Sequence, residues 1–195
     1  MQRVCVFCGS SPGGRPLYGE AARALGAALA HDSIEVVYGG GNVGLMGILA
    51  DATLAAGGNV IGVIPESLRA LEVAHLGLSD LRIVHSMHER KALMADLADG
   101  FIALPGGLGT FEELLEMATW SQLGIHAKPI GVLNVAGYFD SLLALLDHAV
   151  SERFLRLEQR RQLLVSETPR ALLDQMAAYR APQTDVGKWI DRDQR

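Results

Sequence analysis

Apolar positions along the chain alternate between two spacings. Short runs rich in β-branched residues, at 4–8, 35–38, 60–64, 101–104 and 129–134, read as buried strands. A weaker run at 81–84 and a last one at 163–166 read as further strands, the latter at an edge. Between most of them lie longer stretches with helical spacing, at about 17–30, 45–56, 87–98, 111–123, 138–151 and 169–179. Strand alternating with helix across short turns predicts an α/β fold. We expect a Rossmann-like three-layer sandwich, with a parallel central sheet and helices on both faces. No break in composition marks a second domain, so residues 1–180 are expected to form one domain, followed by a polar tail at 181–195.

Composition changes this picture little. A chain of 195 residues suffices for one domain with a substantial core, and its 22 glycines suit strands that end in tight turns. The net charge of −5 argues against a nucleic-acid or anionic-membrane partner, so any anion must be held by a local site. The first residues enter a strand pattern at once, without the order of a signal peptide, and no long apolar run follows. A cytoplasmic protein is expected. Cys5 and Cys8 make a C-x-x-C string, but both fall in the first strand, where an offset of three sends side chains to opposite faces. They read as a buried or strand-end thiol pair rather than a redox or zinc site. His85 and His88 lack a neighbouring carboxylate or thiol to complete a metal set, so no metal and no cofactor are expected.

Candidate chemistry sits where strands run into glycine-rich turns, because ligands of open parallel sheets bind beyond the strands' carboxyl ends. Gly39-Gly40-Gly41-Asn42-Val43-Gly44-Leu45-Met46-Gly47 follows the second strand. Gly39, Gly41 and Gly44 satisfy G-x-G-x-x-G, and Glu66 stands where a ribose-binding acid would, so a dinucleotide-dependent oxidoreductase is a rival reading. The motif does not follow the first strand, and little chain is left for a catalytic domain. Pro105-Gly106-Gly107-Leu108-Gly109-Thr110-Phe111-Glu112-Glu113 follows a later strand. Main-chain amides of Gly107, Leu108, Gly109 and Thr110, with the Thr110 hydroxyl, would cradle a phosphate at a helix start. Thr110 to Glu113 is equally a T-x-x-E capping box, and the pattern alone leaves Glu113 divided between capping and catalysis.

Between these turns, Ser86 and Glu89 form a second capping box, which opens a helix at Met87. Arg90 and Lys91 then fall in its first turns, where positive charge opposes the helix dipole unless an anion is bound there. The helix at 111–123 carries Phe111, Leu114, Leu115, Met117, Ala118, Trp120 and Leu123 around much of its circumference. This fits either a helix buried in the monomer or a subunit interface.

The three segments together resemble the Lonely guy (LOG) family, formerly mislabelled as lysine decarboxylases. Its pattern P-G-G-x-G-T-x-x-E is matched at 105–113, M-x-x-R-K at Met87, Arg90 and Lys91, and G-G-G-x-x-G-L-M-G at 39–47. The likeness extends over about residues 4–155. It implies a phosphoribohydrolase that cleaves the N-glycosidic bond of AMP or a cytokinin riboside 5′-monophosphate, with Arg90 and Glu113 as the catalytic pair. It implies substrate binding by Glu72, Arg90, Lys91, Gly107, Leu108, Gly109, Thr110, Phe111, Glu112, Glu113 and Thr119. Met87, Gly9, Ser10, Gly40 and Gly41 join as further pocket contacts. Glu72 lies between Leu71 and Val73, where the family often has a basic residue and isoleucine. The resemblance also implies a homodimer whose second subunit borders the active site. A nucleotide carrier without catalysis would share the phosphate cradle but would not require Glu113.

Overall fold

The computed structural model describes residues 1–69 and 74–182. The elements run β1 (Arg3–Phe7), α1 (Pro16–His31), β2 (Glu35–Tyr38), α2 (Gly44–Ala55), β3 (Val60–Pro65), α3 (Glu66–Arg69), β4 (Asp80–Val84) and α4 (Met87–Leu97). They continue as β5 (Gly100–Ala103), α5 (Leu108–Gln122), β6 (Ile130–Leu133), α6 (Asp140–Ser151), α7 (Leu157–Arg160), β7 (Leu163–Ser166) and α8 (Pro169–Ala178). The seven strands form one parallel sheet in the order β4-β3-β2-β1-β5-β6-β7. The chain works outward from β1 to the β4 edge and then returns to pair β5 with β1. The strand order therefore reverses between β1 and β5, and their carboxyl ends diverge into a crevice.

The sheet is covered on both faces, because neighbouring residues of each central strand are buried in opposite directions. Val4, Val6 and Cys8 pack with Leu25 and Leu29 of α1, Leu45 and Leu49 of α2 and Leu172 of α8. Cys5 and Phe7 pack on the other face with Met94 of α4, Leu114 and Met117 of α5 and Phe139. Each of the fully buried leucines contributes about 2 kcal/mol through the apolar surface it removes from water. No helix among the described residues is long and apolar enough to cross a membrane.

The two cysteines sit on opposite faces, as their offset of three predicts, and both are free thiols. Burial pushes both thiols up, and the negative charge of Glu113 adds to the effect at each. A thiol held neutral stabilises the fold up to the ordinary thiol range, and that contribution is lost as pH rises beyond it. The folded protein is therefore expected to resist iodoacetamide at about pH 8 and to react fully in denaturant, and its Tm should fall above about pH 8.5. Mass spectrometry of the alkylated protein checks the first point; rapid native labelling of both thiols would contradict it.

Two helix starts differ from the sequence expectation, for physical reasons. The segment from Val135 to Gly137 is a short 3-10 turn, and α6 begins only at Asp140. Ala136 and Gly137 take left-handed φ values of 50° and 73°, and the Asn134 side chain accepts from the Phe139 N–H at 2.7 Å, which delays the helix. The start of α5 moves the other way. Its cap is Gly107, whose carbonyl accepts from the Phe111 N–H at 3.1 Å, so the helix opens at Leu108, three residues ahead of the expected start. Thr110 and Glu113 thus lie inside the helix, and the T-x-x-E capping box is not formed.

Candidate active site

Where β1 and β5 separate, residues from four loop or helix starts line a cleft of about 290 Å³. Gly9 and Ser10 come from the end of β1, Gly39 from the end of β2, Met87 and Arg90 from α4, and Gly107, Leu108, Gly109, Thr110, Glu112 and Glu113 from α5. Helix α5 points its amino terminus into this cleft. The first amides of a helix have no partners within it, so they and the aligned peptide dipoles favour an anion there.

The other glycine-rich turn meets a different fate. Gly44, at φ +57°, starts α2, and a Cβ there would lie 2.3 Å from the Ser10 carbonyl carbon. The Leu45 N–H donates to the Gly9 carbonyl at 3.0 Å. The amino terminus of α2 is thus closed by the chain's own β1 loop, which leaves no room for a pyrophosphate. Glu66 forms an ion pair with Arg69 at 3.1 Å on the surface. These contacts remove the support for a dinucleotide site.

The capping box at the start of α4 is present in altered form. Ser86 accepts from the Glu89 N–H at 3.1 Å, while Glu89 reaches back one residue further, to the His85 N–H at 2.8 Å. This fixes the register that sends Arg90 inward. Arg90 is 6% exposed, donates through Nη2 to the Gly39 carbonyl at 3.4 Å and approaches the Met87 sulfur at 3.7 Å. Its Nε is buried with no hydrogen-bond partner among the described residues. Such a cation is costly unless something in the cleft supplies an acceptor.

Glu113 faces the same cleft from the second turn of α5. Its charge acts on both Cys5 and Cys8, and Arg90 acts on Cys5 in the opposite sense, so both ionic groups lie over the end of β1. Met46, Met87, Met94 and Leu68 supply a flexible apolar wall. The arrangement offers an anion cradle, an inward-facing guanidinium, a carboxylate and an apolar surface within one crevice.

Several expected contacts stand elsewhere. Lys91 is not aimed into the cleft; its Nζ donates to Glu112 at 2.5 Å and Glu116 at 2.9 Å, tying α4 to α5. The anion that offsets its place at a helix start is thus supplied by the chain. Thr119 donates to the Leu115 carbonyl at 2.7 Å and borders a separate hollow with Leu146 and Leu155, so the structure does not bring it to the cleft within one chain. Phe111 packs against Tyr138 and Phe139. Gly40 and Gly41 are held by the chain itself: the Gly40 carbonyl accepts from the His75 N–H at 3.1 Å, and the Gly41 carbonyl from the Tyr38 hydroxyl at 3.2 Å. Gly39 lines the cleft in their place. Glu72 lies outside the described residues. Leu68, Met46 and Met94 were not foreseen, since isolated apolar residues carry no signal that separates a pocket wall from a core. No group of three or more metal-ligating side chains gathers among the described residues.

A family model described as "Possible lysine decarboxylase" matches residues 46–176. The chain is 51% identical over 184 residues to the probable cytokinin riboside 5′-monophosphate phosphoribohydrolase LOGL1 of Oryza sativa subsp. japonica, covering 94% of this chain and 82% of that protein. It is 50% identical over 178 residues to the cytokinin riboside 5′-monophosphate phosphoribohydrolase LOG7 of Arabidopsis thaliana, covering 91% and 82%. Among solved structures, the molybdenum cofactor binding protein of Rippkaea orientalis superposes with a TM-score of 0.70 at 20% identity, over 91% of this chain and 97% of that one, a likeness of fold alone. With about half its residues identical over more than nine-tenths of its length, and with that model spanning most of the sheet, the chain belongs to the Lonely guy (LOG) family.

Proposed function

We propose that this protein hydrolyses the N-glycosidic bond of a purine nucleoside 5′-monophosphate, AMP or an N6-modified cytokinin riboside monophosphate, to free base and ribose 5-phosphate. The observation that carries the proposal is the meeting of Glu113, the inward-facing Arg90, whose Nε has no partner among the described residues, and the open amino terminus of α5 in one cleft. Relatives named as phosphoribohydrolases, about half identical to this chain, support the reaction class.

The residues divide the work as follows. The amides of Gly107, Leu108, Gly109 and Thr110 hold the 5′-phosphate. Arg90 grips the ribose or phosphate oxygens. As the C1′–N9 bond lengthens, positive charge grows on the sugar, and the carboxylate of Glu113 stabilises it and orients a water. One water is consumed: its oxygen bonds to C1′ and one proton leaves with the purine. The methionine wall accepts a planar base and yields to a substituent on it. Lys91, held by Glu112 and Glu116, sets the spacing between α4 and α5 and hence between Arg90 and Glu113.

Incubation with AMP should release adenine and ribose 5-phosphate, followed by chromatography. Adenosine should turn over at least about 100-fold more slowly in kcat/KM, because binding energy from the phosphate positions the reacting carbon. Equal rates on the two would remove the phosphate cradle from the mechanism, and tight AMP binding with no adenine would favour a nucleotide carrier. Absorbance change with a nicotinamide cofactor would favour the oxidoreductase reading.

The working unit proposed is a cytoplasmic homodimer. Leu115 and Leu123 leave apolar surface on the outer side of α5, which a second copy would cover. Thr119 sits on that side as well, where it could serve the partner's cleft.

A further inference from the structure

The turn that carries the phosphate cradle is held in place by a residue outside the cleft. The Tyr138 hydroxyl donates a hydrogen bond to the Gly106 carbonyl. One residue earlier, the Pro105 carbonyl accepts from the Gly9 N–H at 3.0 Å. Two successive carbonyls of the turn are therefore fixed by donors.

Tyr138 is itself strongly constrained. The preceding backbone passes through two left-handed residues, Ala136 and Gly137, the first of which carries a side chain. Asn134 staples this loop, accepting from the Phe139 N–H and donating to Asp140 at 2.7 Å. The Tyr138 ring meets Tyr18 edge-on at 5.7 Å and stacks on Phe111 at 6.4 Å. The left-handed conformation of Ala136 persists only where the surroundings enforce it, and the loop it shapes carries both the buried Phe139 ring and the Tyr138 hydroxyl.

We propose that Tyr138 is a positioning residue that orients and polarises the Gly106–Gly107 peptide, so that the Gly107 N–H becomes a stronger donor to a bound phosphate. In a trans peptide the C=O and the following N–H point in opposite directions. With the Gly106 oxygen drawn toward Tyr138, the Gly107 N–H is turned to the opposite side, and Gly107 lines the cleft. A hydrogen bond to a carbonyl draws electron density from the attached N–H, and successive bonds through one peptide reinforce one another. The inference rests on the phosphate-holding role proposed above for this turn.

The test is calorimetric binding of ribose 5-phosphate and of adenosine to the full chain and to Tyr138→Phe. The variant should bind ribose 5-phosphate about tenfold more weakly and adenosine within about twofold of the parent. Site-specific 3-fluorotyrosine at position 138, a more acidic donor of nearly the same shape, should tighten ribose 5-phosphate binding. A structural role alone would not produce that opposite shift. Unchanged ribose 5-phosphate affinity in Tyr138→Phe, or an equal loss for adenosine, would overturn the inference while leaving AMP hydrolysis standing. Failure of the parent to bind ribose 5-phosphate would overturn the cradle and this inference together. Should Tyr138→Phe fail to fold, the fluorotyrosine protein decides: tighter binding supports the role, unchanged or weaker binding rejects it.

Discussion

Replacing Glu113 with glutamine is expected to lower kcat for purine nucleotide hydrolysis by about 10³-fold or more, while nucleotide Kd changes by less than about threefold. Glutamine keeps the length and volume of the side chain and suits a helix interior, so α5 should keep its start at Leu108 and its open amides. What disappears is negative charge, which is needed when the sugar becomes cationic and not when the ground-state nucleotide binds. The signature is thus a loss in kcat with little change in binding, read by single-turnover adenine release beside calorimetry. The variant also carries an internal control. Glu113 is the second cause, after burial, that raises the Cys5 and Cys8 thiols. Its neutralisation should make both somewhat more acidic and quicker to alkylate at alkaline pH. Undiminished adenine release with altered thiol reactivity would show that the charge was removed and that the reaction did not need it.

Much of this was legible in the chain because each element carries a local cause. The alternation of β-branched runs with helical spacing placed all seven strands to within about a residue, whereas the sheet order, with β5 returning to pair with β1, is set by tertiary packing and was not legible. The Ser86 cap was legible because a hydroxyl followed three residues later by glutamate satisfies a helix start by itself. The same rule failed at Thr110. There, Gly109, of low helix propensity, is drawn into the helix behind the pinned Pro105–Gly106 turn, and tertiary contacts outweigh local preference. The side chains of the site divide on similar lines. Arg90 and Glu113 were legible through a motif, whereas the pairing of Lys91 with Glu112 and Glu116 depends on how two helices lie side by side. Spacing could mark three glycines in the turn after β2, but only the packing of Gly44 on Ser10 reveals that this helix end is already closed.

Gly39→Ala should reduce kcat/KM by about 100-fold, although position 39 would contact neither the sugar nor the water in the mechanism proposed here. A Cβ on Gly39 would lie 2.0 Å from Nη2 of Arg90, so the guanidinium must move by more than an ångström. The Arg90 side chain is buried, and a displacement of that size at a positioning group costs on the order of 100-fold in rate. Arg90→Ala removes the guanidinium outright and should cost at least as much. The two changes act through one group, so their effects should not add. In an Arg90→Ala background the nearest remaining neighbour of the extra methyl is the Met46 sulfur at 3.4 Å, an ordinary contact, and Gly39→Ala should then cost almost nothing more. Steady-state kinetics on the four proteins, with melting temperatures to confirm folding, completes the cycle. Additive losses would mean that Gly39 serves the cleft by another route, and that the closeness of its backbone to Arg90 is a matter of packing alone.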